Sequence, residues 1–77
     1  MNKNRREKLR SCIDKLENVI SEVEAEIDSE QDCVDNYPEN LQGTERFSKM
    51  EDAIDELNSA VDDIRSAQEY IRNAITS

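Results

Sequence analysis

The stretch from Tyr37 to Arg46 holds the side chains best suited to binding a small ligand, and it contains the only proline and the only glycine of the chain. A threonine can cap a following helix, and the free amides of that first turn bind anions. Arginine adds a bidentate donor, aromatic rings offer stacking faces, and amide side chains can read a base edge. We therefore expect a small phosphorylated, base-containing ligand to bind at Tyr37, Asn40, Gln42, Gly43, Thr44, Arg46 and Phe47.

Most residues of the same stretch can also be explained if it is a connector that binds no ligand. Pro38 can open a single helical turn, and Gly43 can end that turn with a positive φ. Thr44 then caps the second helix, while Leu41 and Phe47 plug the end of a helical bundle. The sequence leaves both interpretations open.

The charged residues near this loop do not decide between a ligand site and a simple connector. Glu39 and Glu45 oppose an anion unless Arg46 or a second protomer supplies more positive charge. In the connector interpretation, Arg46 instead pairs with Glu30 of the first helix. If a ligand binds anywhere, we expect it at this end of the molecule.

Most catalytic chemistry is excluded by residues that the chain lacks. There is no histidine, which removes histidine-based acid–base catalysis and the Glu-x-x-His di-iron sites. Two cysteines make no zinc site, and one glycine makes no phosphate-binding glycine motif. The surviving class is the all-helical, magnesium-dependent nucleotide pyrophosphohydrolases, but only Glu26 and Glu30 would face the interior of a bundle. We expect no enzyme, no cofactor and no metal.

The periodicity predicts an all-α, antiparallel two-helix hairpin forming a single domain, with a helix over 4–36, a loop over 37–43 and a helix over 44–76. Apolar residues alternate at spacings of three and four, which is a heptad seam. The first helix contributes Leu9, Ile13, Leu16, Ile20, Val23, Ile27 and Val34. The second contributes Phe47, Met50, Ile54, Leu57, Val61, Ile64, Ile71 and Ile75. The first helix should begin near Asn2 or Asn4, and Asn4 followed by Glu7 has the spacing of a capping box.

Polar residues interrupt both seams, Glu30 in the first and Gln68 in the second. In an antiparallel hairpin, facing residue numbers should sum to about 80. This register places Glu30 near Met50, and Gln68 near Cys12 and Ile13. Cys12 and Cys33 lie about 31 Å apart on a continuous helix, too far for a disulfide, so we expect free, half-buried thiols.

The apolar stripe is wider than one partner helix can cover, because the heptad g positions extend it. A row of small residues lets another helix approach closely. We therefore expect a homodimeric four-helix bundle, or a larger homo-oligomer, with an interface at Ala53, Ala60, Ala67 and Ala74.

The distribution of charge along the chain indicates which class of molecule could be its partner. The net charge is −9, yet residues 1–15 hold six basic and two acidic side chains, and no basic residue lies between Lys15 and Arg46. This argues against direct nucleic-acid binding and favours a basic protein partner. No apolar run approaches the roughly 20 residues of a membrane span, and no secretory signal is evident. We expect a cytoplasmic protein without membrane contact.

The run from Pro38 to Arg46 resembles the PENLQGSER loop of small acidic helical-hairpin proteins encoded by phages and prophages. Those proteins have a basic first turn, an acidic first helix, this loop and a second helix with a rhythm that here reads Ile54-Asp55, Leu57, Ala60, Ile64. The likeness covers nearly the whole chain, with Thr44 in place of the commoner serine, which preserves the cap.

The resemblance implies a non-enzymatic phage-type protein in the cytoplasm of a bacterial host, with an anti-defence role. One class of such proteins consists of sponges that sequester a small nucleotide immune signal of Thoeris or CBASS type. A second interpretation is an acidic protein–protein interaction module, or DNA mimic, that blocks a basic host protein. A third is a structural coiled-coil adaptor.

Overall fold

Two long antiparallel helices make up the fold in the computed structural model, which describes all 77 residues. Helix α1 spans Lys3–Asp35 and helix α2 spans Glu45–Thr76, with a three-residue 3₁₀ turn at Glu39–Leu41 between them and no strand. The predicted all-α hairpin is confirmed. Neither helix is sufficiently apolar over the length that crossing a bilayer demands.

Helix α1 begins at the earlier of the two predicted positions. Asn2 is the N-cap, and its Oδ1 accepts a hydrogen bond of 2.8 Å from the amide of Arg5. The capping box predicted at Asn4 is therefore wrong, because Asn4 already lies inside the helix. At the other end Asn36 is the C-cap, and its side chain donates to the carbonyl of Asp32 over 2.8 Å.

A hydrogen bond between the helices shows their register. The side-chain amide of Gln68 donates to the backbone carbonyl oxygen of Ile13 over 3.1 Å, and the predicted register had placed these two residues close together. Moving along the helices from this contact in steps of seven residues, Ile20 is level with Val61 and Ile27 is level with Ile54. All eight buried residues of the chain occupy heptad a positions: Ile13, Ile20, Ile27, Val34, Ile54, Val61, Gln68 and Ile75.

Polar side chains bridge the middle of one flank of this seam. Gln68 also donates to Oε2 of Glu17 over 3.0 Å, and Arg65 pairs with Glu24 at 3.6 Å. Glu17, Glu24 and Arg65 all occupy heptad e positions, which adjoin position a on that flank. The opposite flank, formed by positions d and g, has no such polar bridge.

The hairpin is far from compact. It measures 60 × 16 × 12 Å with a radius of gyration of 17.6 Å, against about 11.5 Å for a compact domain of this length. Its accessible surface is 5769 Å². A folded monomer of the same mass, 8.9 kDa, typically exposes about 4800 Å². A single hairpin therefore leaves an unusually large surface in water.

Candidate functional site

The loop end of the hairpin begins with an extended residue and a single tight turn. Pro38 has φ −57° and ψ 134°, and its carbonyl accepts from the amide of Leu41 over 2.9 Å. The amide of Gln42 then bonds the carbonyl of Glu39 over 3.3 Å. The predicted helical turn after the proline is thus present.

The predicted role of Gly43 is wrong. No residue of the chain has a positive φ, so Gly43 does not end the turn in the left-handed conformation. Gln42 instead follows the turn with right-handed helical angles, φ −67° and ψ −20°, and the chain runs directly into the cap of α2. A Cβ built on Gly43 would contact nothing within 4 Å, so a larger residue also fits here.

Thr44 caps α2, as the sequence predicted. Its Oγ1 accepts from the amide of Phe47 over 3.4 Å and donates to the carbonyl of Leu41 over 2.7 Å. The hydroxyl therefore ties the first turn of α2 to the 3₁₀ turn. The amides of Glu45 and Arg46 lie in this first turn, where anions bind helices.

The two aromatic rings of the predicted site contact each other. The ring centroids of Tyr37 and Phe47 are 5.4 Å apart at an interplanar angle of 45°, and both residues are half-buried. Phe47 also packs on the apolar core. The side-chain amide of Gln42 donates to the carbonyl of Tyr37 over 3.3 Å. Together with Thr44, four of the seven predicted ligand residues thus hold the loop together.

Asn40 and Arg46 are the two predicted ligand side chains without a protein partner. Both are exposed, and neither makes a side-chain hydrogen bond or an ion pair. The expected pair between Arg46 and Glu30 is wrong. The ion pair nearest the loop instead joins Lys49 to Glu45 at 3.3 Å, one helical turn apart on α2. Glu30 is half-buried without a cationic partner.

The hairpin has two grooves between its helices, one in each half of its length. A groove of about 480 Å³ lies between the helices near the chain termini, lined by Arg10, Ile13, Asp14, Arg72, Ile75 and Thr76. A smaller one of about 100 Å³ is lined by Gln31, Val34, Glu51, Ile54 and Asp55. No three acidic or cysteine side chains are grouped to hold a metal ion. Neither groove is lined by a residue of the loop between the helices.

The flank without polar bridges forms a second candidate surface, here called the open face. It consists of the half-buried d residues Leu9, Leu16, Val23, Glu30, Met50, Leu57, Ile64 and Ile71, and of the g residues beside them. Those g residues are Cys12, Val19, Glu26, Cys33, Ala53, Ala60, Ala67 and Ala74, of which only Ala67 is not exposed.

Helix geometry explains why the other helix of the hairpin leaves the open face partly exposed. Positions d and g point roughly 60° and 120° away from position a, so α2 covers the a row and only part of the d row. Val19 remains 41% exposed. Both cysteines are free and exposed, which corrects the expected half-buried thiols. The alanine row predicted as an interface forms part of the α2 half of this face, and the same heptad spacing identifies the α1 half.

The acidic side chains form the third surface. Of the 19 aspartates and glutamates, all but Glu30 are exposed. Only Glu24, Glu45 and Glu69 take part in ion pairs. Glu17 and Asp35 accept hydrogen bonds from Gln68 and Gln31, and the other exposed carboxylates have no partner within the chain.

Comparisons with protein-family models, with curated proteins and with solved structures found no match to this chain.

Proposed function

We propose that this chain is a non-enzymatic binding protein that works as a homodimer. Two hairpins pack through their open faces into a four-helix bundle, and the acidic outside of the bundle binds a basic surface of another protein. The observation that carries the proposal is the pair of contrasting surfaces on one hairpin. One flank is mostly apolar and only partly covered, while the outer faces hold unpaired carboxylates.

The exposed area supports the dimer. The hairpin exposes roughly 950 Å² more than a compact monomer of its mass. A standard protein interface buries about 800 Å² per partner, which is similar to this excess. The core is also small, with seven buried apolar residues in 77. Small scaffolds of this kind usually gain their stability from a partner, a metal or disulfides.

The density of free carboxylates supports a basic protein as the partner. Residues 20–61 contain 13 acidic and two basic side chains, a net charge of −11 on the half of the hairpin that includes the loop. Closely spaced negative charge along a rod resembles the phosphate rows of a nucleic acid. Such a surface attracts basic proteins over a distance and speeds their association.

A capture experiment with competing DNA tests this role. The tagged protein is expected to retain basic proteins from bacterial lysate, to lose them as NaCl rises from about 0.1 to 0.5 M, and to lose them when double-stranded DNA competes. A variant with Asp55→Asn, Glu56→Gln, Asp62→Asn and Asp63→Asn should capture much less. A control with Ser59→Asn and Ser66→Asn changes the same outer surface without changing charge. Equal capture by both variants would contradict the proposal.

A small nucleotide is the second candidate ligand, as the phage resemblance implies. The specific observation in its favour is that Asn40 and Arg46 are exposed and unpartnered beside the capped N-terminus of α2. The aromatic pair of Tyr37 and Phe47 lies in the same loop. Because no groove of one chain is lined by these loop residues, the pocket of such a sponge would include residues of a second protomer.

Isothermal titration with cyclic ADP-ribose isomers and cyclic dinucleotides tests the second candidate. Binding should be lost in Arg46→Ala and retained in Lys49→Ala, since Lys49 already pairs with Glu45. If no compound of either class gives heat, the nucleotide function is unsupported and the protein-binding function stands alone.

A further inference from the structure

Charge is distributed unequally along the length of the hairpin. The half that holds both termini, residues 1–19 and 62–77, contains eight basic and six acidic side chains, a net charge of +2. The loop half carries −11. Helix α1 alone is basic in its first half and has no basic residue after Lys15. A hairpin with two such different ends can distinguish between orientations of a second copy.

Two polar groups near the open face lack partners within one chain. Glu30 interrupts the d row at the loop end, where it is half-buried and makes no ion pair. Arg6 lies in the a row at the other end, also half-buried, and its Nε atom is buried without a hydrogen-bond partner. The two groups have opposite charge and lie at opposite ends of α1.

A two-fold axis can pair the open faces in two ways. If both loops lie at the same end, α1 packs on α2 of the second copy, and the two −11 halves adjoin. If the loops lie at opposite ends, α1 packs antiparallel on α1 of the second copy, and each −11 half adjoins a +2 half. Like charges brought together are destabilising, whereas complementary ends attract.

We propose that the second copy packs with its loop at the opposite end, so that α1 lies antiparallel to α1 of its partner. This inference rests on the proposed dimer and specifies its orientation. Aligning the d rows of the two α1 helices puts residue 30 level with residue 9 of the other copy. Glu30 is then within about 6 Å along the helix axis of the partner's Arg6.

The same alignment makes testable pairs elsewhere on α1. At the edge of the interface, it places Lys15 within about one helical turn of the partner's Glu22, measured along the helix axis. It also places the two copies of Val19 beside the two-fold axis, where the g rows of the helices cross. With the loops at the same end, Val19 would instead lie beside the partner's Ala60, because α1 then faces α2.

Disulfide trapping decides between the orientations. Val19→Cys and Ala60→Cys are each made in a background with Cys12→Ser and Cys33→Ser, which alters only exposed thiols. A size tag on one variant lets every linked product be identified after mild oxidation of a mixture. A disulfide requires Cα atoms within about 7 Å, so links report direct neighbours.

The expected products are two chains of V19C linked to each other and two chains of A60C linked to each other, with little mixed product. A predominant link between position 19 of one chain and position 60 of the other overturns the orientation while leaving the dimer intact. A dimer mass without either link overturns the alignment. A monomer mass for the unlinked protein overturns the proposed dimer itself.

Discussion

The side-chain amide of Gln68 donates to the carbonyl oxygen of Ile13 over 3.1 Å, although Gln68 is only 2% exposed and lies in the middle of an apolar seam. Its second hydrogen bond, to Glu17, lies on the flank that carries the polar bridges. A polar residue at one a position typically specifies register and assembly at some loss of stability. Gln68 therefore favours this alignment of the helices.

Gln68→Leu should be neutral or stabilising by about 1 kcal/mol, because it replaces a buried polar group with an apolar one. The same change should relax the register and allow additional oligomers. Thermal unfolding at a fixed chain concentration and light scattering measure the two effects. Gln68→Ala is the control that leaves a cavity, and it should destabilise by about 2 kcal/mol. A loss of stability in Gln68→Leu as large as that in the control would contradict this role.

Gly43→Ala should be tolerated and should stabilise the fold by about 0.4–1 kcal/mol. The position has no positive φ and has free space for a Cβ, so alanine mainly restricts the unfolded chain. Thr44→Ala, one residue later, should instead destabilise by about 1 kcal/mol because it removes the N-cap of α2. Chemical denaturation of both variants measures this contrast. Strong destabilisation by Gly43→Ala would indicate a conformation that differs from the one described.

Leu16→Asn should dissociate the dimer, since it places an amide in the d row of the open face. Ser11→Asn introduces the same residue on the outer surface of α1 and should leave the assembly unchanged. Sedimentation velocity over a range of concentrations compares the two. If both variants associate equally well, the open face is not the interface.

A charge exchange tests the antiparallel contact between α1 helices without altering the core. Lys15→Glu should weaken the dimer several-fold, because it places like charges at the edge of the interface. Adding Glu22→Lys to the same chain should restore most of the affinity, since each residue then meets an opposite charge on the partner. The two positions are seven residues apart on one helix, too far for direct pairing within a chain. Failure of the second change to restore binding would count against the opposite-end orientation.

Helical architecture was predictable because the heptad spacing and the Thr44 cap are local signals. The spacing identified the Gln68–Ile13 contact as well, since one loop of known length joins two regular helices. The backbone conformation of Gly43 was not predictable, because glycine permits a positive φ without requiring one. The Arg46–Glu30 pair failed for a related reason: long exposed side chains have many partners, and Lys49 to Glu45 is the pair formed near the loop.

The candidate ligand residues show the same division. Their proximity in one loop followed from the sequence, but the contacts that Tyr37, Gln42 and Phe47 make with one another depend on tertiary packing. Binding by Asn40 and Arg46 remains a prediction for the titrations above. Coverage of the open face by a second chain is likewise a proposal, which the solution mass tests.

Solution mass is the most direct test of the central claim, which is that the open face joins two copies. Light scattering coupled to size-exclusion chromatography at micromolar concentration should give about twice the chain mass of 8.9 kDa. Leu16→Asn should shift that value toward a single chain. A mass of 8.9 kDa for the unaltered protein across the accessible concentration range would contradict the dimer and every contact inferred from it.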